Sequence, residues 1–315
     1  MTEFTDGLTA LIKDRQARVF ESADVRAALP PRTRDSHKGT YGSAAIVAGS
    51  IEYTGAAYLS AAACLRAGAG YTTLFVPSGI LPYYVLKAPE VLLKSINDGD
   101  RYAFNREIMD GLLGYDSVAF GMGMGATETV AKGAAYLLRH YTGKLVLDAD
   151  GLNSLALYEK ENLNVLLKNA KCDVVLTPHI KEFSRLCGYS VEEILRDRIG
   201  LAKAFAKQHK ITLLLKSAVS VLTDGERTGL NATGNSSQAK GGSGDVLSGV
   251  IAGLCAMGAS AFDGALAAAY LTGRAAELSS ARLSEYSVTA SDVISYLGAA
   301  FLSVTEKSNE ECGKE

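Results

Sequence analysis

The sequence has few cysteines and few prolines. The first shortage excludes a protein held together by disulfides or zinc, and the second, beside abundant glycine, excludes a flexible chain. Its five cysteines, at positions 64, 172, 187, 255 and 312, are scattered and form no Cys-x-x-Cys pair. That arrangement indicates reduced residues in a cytoplasmic protein, and it provides neither a disulfide framework nor the spacing of a zinc site. Only six prolines occur against 32 glycines in 315 residues. Excess glycine without proline predicts close backbone approaches in a folded protein, not a flexible chain.

The sequence has no excess of one charge sign and no long uninterrupted apolar segment. The 32 basic and 34 acidic residues give a net charge of −2, so the charge does not favour nucleic acid or an anionic membrane as a partner. Residues 1–16 show no pattern of a cleaved signal peptide. The most apolar region, 246–271, is interrupted by glycines and by Asp263, which predicts buried helices and not a membrane span. The composition, with 48% hydrophobic and 21% charged residues, is that of a folded globular protein.

Short apolar runs alternate with helical patterns along most of the chain. We expect buried strands at 43–49, 71–76, 117–121, 144–148, 173–176 and 211–216, with helices between them. This alternation predicts an α/β fold with a mostly parallel central sheet covered on both faces. The Asp224-Gly225 pair after residues 220–223 predicts a hairpin, and hence a late antiparallel edge. Without any linker in the sequence, we expect one domain at 24–304, an N-terminal arm at 1–23 and a polar tail at 305–315.

A glycine-rich segment leads into a helix-spaced apolar pattern near residue 245. Gly241, Gly242, Ser243, Gly244 and Asp245 precede apolar residues at 246, 247, 250, 251 and 254. The glycines therefore lie at a predicted helix N-terminus, where unpaired N–H groups and the helix dipole attract an anion such as phosphate. A carboxylate beside a phosphate is unfavourable unless a proton transfer or a metal involves it, which makes Asp245 a candidate general base. An ordinary aspartate cap after a glycine turn explains the same residues equally well.

Other polar segments follow predicted strands, at the edge where open parallel sheets bind ligands. Asp148 and Asp150 could hold Mg²⁺ through water, although an Asx turn is the simpler interpretation. His179 follows a strand as one of only four histidines. Lys216 ends another strand, a suitable position for a cation near phosphate, with a solvated lysine as the alternative. The GMGMG segment at 121–125 lacks the full dinucleotide-binding spacing and predicts the glycine-lined floor of a cleft.

Ten motifs in this order resemble the NAD(P)H-hydrate dehydratases, the ADP- or ATP-dependent repair enzymes of the ribokinase-like superfamily. The resemblance covers about residues 24–300. The motifs are HKGTYG at 37–42, AGS at 48–50, YTGAA at 53–57, LRAGAG at 65–70, LDADGLN at 147–153, LTPH at 176–179, EF at 182–183, LK at 215–216, TGN at 233–235 and GGSGD at 241–245.

The resemblance implies a ribokinase-like three-layer αβα sandwich and a definite reaction. In that reaction the S-epimer of NADHX or NADPHX, the hydrated forms of the reduced nicotinamide cofactors, is phosphorylated at its C6 hydroxyl and loses phosphate. The phosphoryl donor is ADP in preference to ATP, with Mg²⁺ as the metal. The resemblance also implies a separate NAD(P)HX epimerase as a functional partner and a homo-oligomer such as a tetramer.

The functional residues of the family carry over to matching positions of this sequence. The resemblance implies Asp245, Gly242 and Gly244 as the catalytic groups, and Ala57, Gly123, His179 and Asp245 as contacts of the hydrated cofactor. It assigns no metal ligands. For the nucleotide it implies Lys216, Ser217, Ala218, Val219, Ser220, Asn235, Gly241, Gly242, Ser243 and Gly244.

Two other functions use the same residues. A small-molecule kinase of the same superfamily, acting on a sugar or a vitamin-precursor alcohol, would need the same anion site and the same Asp245. A non-catalytic adenine-nucleotide-binding protein would have no need of a carboxylate facing the phosphate. The segments 37–42 and 177–183 resemble the dehydratase pattern more than a sugar-kinase pattern, and we therefore favour the dehydratase.

Overall fold

A computed structural model describes residues 17–306, and strands and helices alternate along this part of the chain. The strands are β1 (Arg18–Val19), β2 (Ser43–Val47), β3 (Tyr71–Val76), β4 (Leu92–Ser95), β5 (Ser117–Phe120), β6 (Lys144–Leu147), β7 (Asp173–Leu176), β8 (Thr212–Leu215), β9 (Ser220–Thr223) and β10 (Thr228–Asn231). The α-helices are α1 (Ser22–Ala28), α2 (Thr54–Ala67), α3 (Arg106–Leu112), α4 (Glu128–His140), α5 (Asp150–Tyr158), α6 (Leu163–Lys168), α7 (Ile180–Cys187), α8 (Val191–Arg196), α9 (Arg198–His209), α10 (Ser243–Ala256), α11 (Ala261–Leu283) and α12 (Ala290–Thr305).

The strands form a single ten-stranded sheet in the order β1-β10-β9-β8-β7-β6-β5-β2-β3-β4. Neighbouring strands run parallel, except that β9 is antiparallel to both β8 and β10. Residues 224–227 connect β9 to β10, and the Asp224 carboxylate accepts the N–H groups of Glu226 and Arg227 at 3.0 and 2.7 Å. The predicted hairpin and antiparallel strands near one edge are therefore confirmed. The outermost strand on that side is the short β1, which is parallel to β10.

Helices cover both faces of the sheet because side chains of a buried strand alternate between its faces. In β2, Ala44 and Ile46 join one apolar cluster with α2, α10, α11 and α12. Ala45 and Val47 of the same strand join a second cluster with helices α3 to α9. The molecule is thus a three-layer αβα sandwich, as expected.

Glycines allow α10 to lie directly against α2. A side chain at Gly249 would place its Cβ 2.1 Å from the carbonyl oxygen of Ser60, and one at Gly253 would place it 2.6 Å from that of Cys64. Only glycine fits where two helix backbones come this close. The predicted link between excess glycine and close backbone approach holds at this interface, which fixes the position of the α10 N-terminus.

The structure adds elements that the sequence pattern did not predict individually, namely strands β1 and β4 and helices α1, α3, α6 to α9 and α12. It also places part of the predicted arm in the fold, because Arg18–Val19 pair with β10 and Phe20 is buried in the first cluster. Residues 1–16 and 307–315 lie outside the described part of the chain, so the domain boundaries stay a prediction. None of the helices within 17–306 has the length and apolar character needed to span a bilayer.

Candidate active site

The predicted site residues gather at the carboxyl edge of four neighbouring parallel strands. Loops leaving β5, β6, β7 and β8 carry Gly123, Asp148, His179 and Lys216 respectively. Open α/β sheets bind ligands in the crevice outside this edge. The N-terminus of α10 lies against the same crevice, since a Cβ on Gly244 would stand 3.4 Å from Lys216 Nζ and 3.5 Å from Asp148 Oδ2.

The first turn of α10 has no side-chain cap. Its N-cap, Gly242, has a φ of +94° and offers no side chain to the free N–H groups of the turn. A Cβ at this position would lie 2.6 Å from Leu59 Cδ1, so both the backbone angle and the space require glycine. Unpaired N–H groups at the positive end of the helix dipole, together with the Lys216 ammonium, attract negative charge to this point.

Three helix N-termini without side-chain caps meet at this crevice. Among helices of eight or more residues within 17–306, only α2, α5 and α10 begin without a capping side chain or capping box. The others begin at polar residues that accept an N–H of the first turn, for example Thr127 at α4 and Ser260 at α11. Polar caps stabilise a helix by about 1 kcal/mol, so their absence at α2 and α10 leaves N–H groups for a ligand. In α5 the N–H groups of Asp150 and Gly151 are instead bonded to the carbonyls of Gly121 and Asp148.

The Asp245 carboxyl lies in the first turn of α10 in a position suited to a general base. Burial, together with the neighbouring Asp148 and Asp150 and against the opposing charge of Lys216, raises the pKa of Asp245 to about 7. A carboxyl group that titrates near neutral pH can take a proton from an alcohol and release it again. This pKa suits a general base, and the catalytic role of Asp245 stays a prediction.

Asp148 is the centre of a buried polar network and not an open metal ligand. Its side chain is almost fully buried, with Oδ1 accepting Lys216 Nζ and the N–H of Ala149, each at 2.8 Å. Its Oδ2 accepts the Ser248 hydroxyl of α10, also at 2.8 Å. Both oxygens are therefore committed to protein donors. The water-mediated Mg²⁺ role that the sequence left open for Asp148 gains no support from this geometry.

The glycine segment after β5 lies against the Asp148–Gly151 turn and the N-terminus of α2. Gly121 (φ +121°) leaves room for the Asp148–Gly151 turn, because a Cβ there would lie 2.3 Å from the Asp148 carbonyl oxygen. A Cβ on Gly123 would lie 2.8 Å from the Cβ atoms of Tyr53 and Ala56, so this loop touches the N-terminus of α2. The side chain of Ala57, one residue further along, is fully buried and exposes no surface to a ligand.

His179 caps α7 with its ring. Its Nδ1 accepts the N–H groups of Lys181 and Glu182 at 3.1 and 3.2 Å, which leaves the proton on Nε2. Glu182 completes a capping box by accepting the His179 N–H at 2.8 Å, and its Oε1 lies 3.5 Å from Nε2. Burial and the charge of Lys216 lower the pKa of His179, and its side chain remains about half exposed. The histidine is thus structural and still accessible to a ligand.

The predicted nucleotide loop is a tight turn between β8 and β9. The Ser220 hydroxyl donates to the Ser217 carbonyl at 3.1 Å, and the Ser217 hydroxyl donates to that of Val219 at 2.6 Å. Arg198 holds the turn from α9, donating to the Ser217 hydroxyl and, at 3.3 Å, to the Val219 carbonyl. Ala218 at the tip is exposed and Val219 is buried.

Asn235 lies on the other side of the α10 N-terminus. Its side-chain oxygen accepts the N–H and the hydroxyl of Ser237 at 3.1 and 2.7 Å and caps a short 3₁₀ turn. The carbonyl side of this amide is therefore occupied by the protein. A cavity of about 540 Å³ at the β1 edge is lined by other residues, such as Phe20 and Arg227, and lies apart from these groups.

This chain matches one family over most of its length. The family described as NAD(P)H-hydrate dehydratase matches residues 44–298. An ADP-dependent (S)-NAD(P)H-hydrate dehydratase of Cenarchaeum symbiosum is 35% identical over 264 residues, covering 83% of this chain and 89% of that protein. The chain belongs to the NAD(P)H-hydrate dehydratase family.

Longer relatives and solved structures agree with this assignment to the dehydratase family. A bifunctional NAD(P)H-hydrate repair enzyme Nnr of Moorella thermoacetica is 35% identical over 286 residues, 89% of this chain and 53% of that protein. The chain spans about half the length of the first curated relatives it matches. The crystal structure of an ADP/ATP-dependent NAD(P)H-hydrate dehydratase from Bacillus subtilis, co-crystallized with ATP/Mg²⁺, matches with a TM-score of 0.78 at 30% identity, covering 91% and 99% of the two chains.

A second solved structure supports the fold assignment. A ribokinase-like superfamily protein from Enterococcus faecalis matches with a TM-score of 0.75 at 22% identity, covering 93% of this chain and 98% of its own, and bears on the fold alone. The predicted family and the predicted ribokinase-like fold are confirmed. The assignment of individual residues to ligands stays a prediction.

Mg²⁺ is the metal that the dehydratase resemblance implies, and one carboxylate of the site suits it. Residues 17–306 contain no group of three or more His, Cys, Asp or Glu side chains able to hold a metal. Mg²⁺ needs only one or two carboxylates when phosphates supply the other ligands. Asp150 fits that requirement, because it is half-buried at the crevice and its Oδ2 accepts the Gly125 N–H at 2.8 Å.

Two residues of this site were not singled out from the sequence, and a third, Glu182, appeared there only within the EF motif at 182–183. Ser248 and Arg198 hold Asp148 and the nucleotide turn, and no local pattern marks either of them. Glu182 has its pKa raised to about 7 by burial, although the charge of Lys216 opposes the shift. Its capping role could have been found, because a polar residue followed three positions later by Glu at a helix start is the capping-box pattern.

Proposed function

We propose that this chain is an ADP-dependent dehydratase that restores NADH and NADPH from the S-epimers of NADHX and NADPHX. The observation that supports it best is a carboxyl of near-neutral pKa, Asp245, in the first turn of a helix whose uncapped N-terminus faces Lys216. An anion site alone needs only the N–H groups and the ammonium. The added proton acceptor supports transfer of a phosphoryl group to an alcohol.

The reaction proceeds in two stages. Asp245 takes the proton of the C6 hydroxyl as that oxygen forms a bond to the terminal phosphorus of ADP, and the bond from this phosphorus to AMP breaks. The ring nitrogen lone pair then expels phosphate from C6, and loss of a proton from C5 restores the reduced nicotinamide. Hydroxide is a poor leaving group and phosphate a good one, which explains the need for a phosphoryl donor.

The positive groups of the site stabilise the transferring phosphoryl group. The amides of Gly242, Ser243 and Gly244 point at the phosphate from the start of α10, and Lys216 lies beside them. Bound Mg²⁺ would offset phosphate charge, with Asp150 as the residue that would hold it. We assign the turn of Lys216, Ser217, Ala218, Val219 and Ser220, with Asn235 and Gly241, to the nucleotide.

The hydrated nicotinamide is assigned to the other half of the crevice. Gly123 and the half-exposed side chain of His179 are its direct contacts in this proposal. Ala57 contributes through packing, because its Cβ lies against Gly49, whose N–H is bonded to the Met122 carbonyl that precedes Gly123. A dehydratase that accepts only the S-epimer leaves the R-epimer unrepaired, so we also propose a separate epimerase as a functional partner. The homo-oligomer and the cytoplasmic location predicted from the sequence are part of the same proposal.

The test mixes the pure protein with NADHX, Mg²⁺ and either ADP or ATP. Turnover is monitored by the absorbance of the reduced nicotinamide. We expect absorbance to rise with ADP for the wild type and to stay flat for Asp245→Asn. The matched control is Asp263→Asn, which changes another first-turn aspartate at the opposite edge of the sheet. Phosphorylation of a simple alcohol without hydrate turnover would instead identify a kinase, and ADP binding without any turnover a binding protein.

A further inference from the structure

One buried carboxylate joins three elements that bound the anion site. Asp148 follows β6, Lys216 follows β8, and Ser248 lies in α10 one turn beyond Asp245. The three polar contacts of Asp148 are each 2.8 Å long, and Asp148 and Ser248 expose 1% and 0% of their surface. A network satisfied in this way fixes the geometry of its members, because any displacement leaves a buried polar group unpaired.

Lys216 is the member that reaches the crevice. Its side chain remains 23% exposed, while its Nζ is held by Asp148 next to the position that a Cβ on Gly244 would occupy. A free lysine side chain would lose rotamer entropy on meeting a phosphate. A lysine already held at the helix N-terminus has lost much of that entropy before the ligand arrives.

We propose that Asp148 and Ser248 are positioning residues, which together hold the Lys216 ammonium against the first turn of α10 so that one anion meets both. The inference rests on the proposed function for the identity of the anion, a nucleotide phosphate. Ser248 acts at a distance from the ligand. Its hydroxyl fixes the Asp148 carboxylate from the side opposite Lys216 and ties that carboxylate to the helix.

The test compares Ser248→Ala with Ser117→Ala in the full chain. The Ser117 hydroxyl is equally buried and also bonds to α10, at the Ala252 carbonyl near the other end of the helix. We expect Ser248→Ala to weaken ADP binding about five- to tenfold by calorimetry, and Ser117→Ala to leave it unchanged. Ser248→Cys, which keeps a weaker donor of similar size, should bind ADP with intermediate affinity and serves if the alanine variant is poorly folded.

A double-mutant cycle separates positioning from a general loss of structure. Lys216→Met should weaken ADP about ten- to a hundredfold, and adding Ser248→Ala should weaken it no further, because Ser248 acts through the lysine. Wild-type ADP affinity in both Ser248 variants, or an equal loss with and without Lys216, would overturn the proposal. The measurement needs no hydrate, so failure of the wild type to turn over NADHX would refute the proposed function and leave this result standing.

Discussion

Replacing Asp245 by Asn should abolish turnover and yet stabilise the folded protein at pH 8. The pKa of this carboxyl is about 7 in the fold, against an ordinary value of 3.8, because burial and Asp148 disfavour its charge. A difference of about three pKa units corresponds to about 4 kcal/mol when the group is ionised. The side chain keeps some exposure, so solvent screening reduces the cost, and we expect a gain of about 1–2 kcal/mol for the neutral asparagine.

The pH dependence of this gain follows from the direction of the shift. Between about pH 4 and pH 7 the folded protein keeps a proton on Asp245 that the unfolded chain has released. Stability of the wild type therefore falls as pH rises through this window, and the loss is complete above about pH 7. Asparagine carries no charge at any pH and has no such loss. The advantage of Asp245→Asn should accordingly shrink to less than half at pH 5.

Calorimetric Tm values at pH 5 and pH 8 test this reasoning, with Asp263→Asn as the control and NADHX turnover measured at pH 8. We expect the Tm of Asp245→Asn to exceed that of the wild type by about 2–6 °C at pH 8. Turnover should fall by at least a hundredfold, the range for loss of a general base. A variant that turns over within tenfold of the wild type would refute the catalytic role, and one less stable at both pH values would refute the burial argument.

Three further predictions concern the crevice. Gly244→Val should fold but lose ADP affinity, because its side chain enters the space beside Lys216 Nζ, and normal ADP affinity in the folded variant would contradict the anion site. Gly242→Ala should instead lower the Tm, because the φ of residue 242 is +94° and the new Cβ would clash with Leu59. His179→Ala should raise KM for NADHX about ten- to a hundredfold with unchanged ADP affinity and lose about 1 kcal/mol of stability with the cap. His179→Asn should recover the stability alone, and recovery of both properties would make the histidine purely structural. The kcat/KM for NADHX should rise with pH to a plateau with its midpoint near 7, as expected for a base that works deprotonated, and the midpoint should persist in Glu182→Gln, whose own carboxyl also titrates near 7.

The fold, and the carboxyl edge of the sheet at which the candidate site lies, could be predicted from the sequence. Apolar runs separated by helical patterns predict a parallel sheet, and the residues that follow such strands then share one edge. Asp245 could be placed at a helix start because the glycine run and the apolar spacing after it meet at that residue. These inferences depend on neighbours in the chain, which a sequence displays directly.

Contacts between distant segments could not be obtained in this way. Asp148 and Lys216 are 68 residues apart, and Asp148 and Ser248 are 100 residues apart. Two aspartates after a strand suggest metal ligands equally well whether their oxygens are free or committed. Only the folded structure shows that Ala149, Lys216 and Ser248 occupy both oxygens of Asp148. Ala57 looks accessible at a helix start, and its burial is visible only once Gly49 is seen against it.

The electrostatics of the crevice explain why so many positive groups surround one carboxyl. A phosphate arriving at α10 adds negative charge beside Asp245 and disfavours ionisation of a group that already titrates near 7. Asp245 can act as a base with phosphate bound only if opposing charge is brought equally close. The uncapped N-terminus and Lys216 supply that charge, and Lys216 alone is a side chain that could turn away. Fixing Lys216 through a buried network therefore protects the basicity of Asp245 as well as the affinity for the anion.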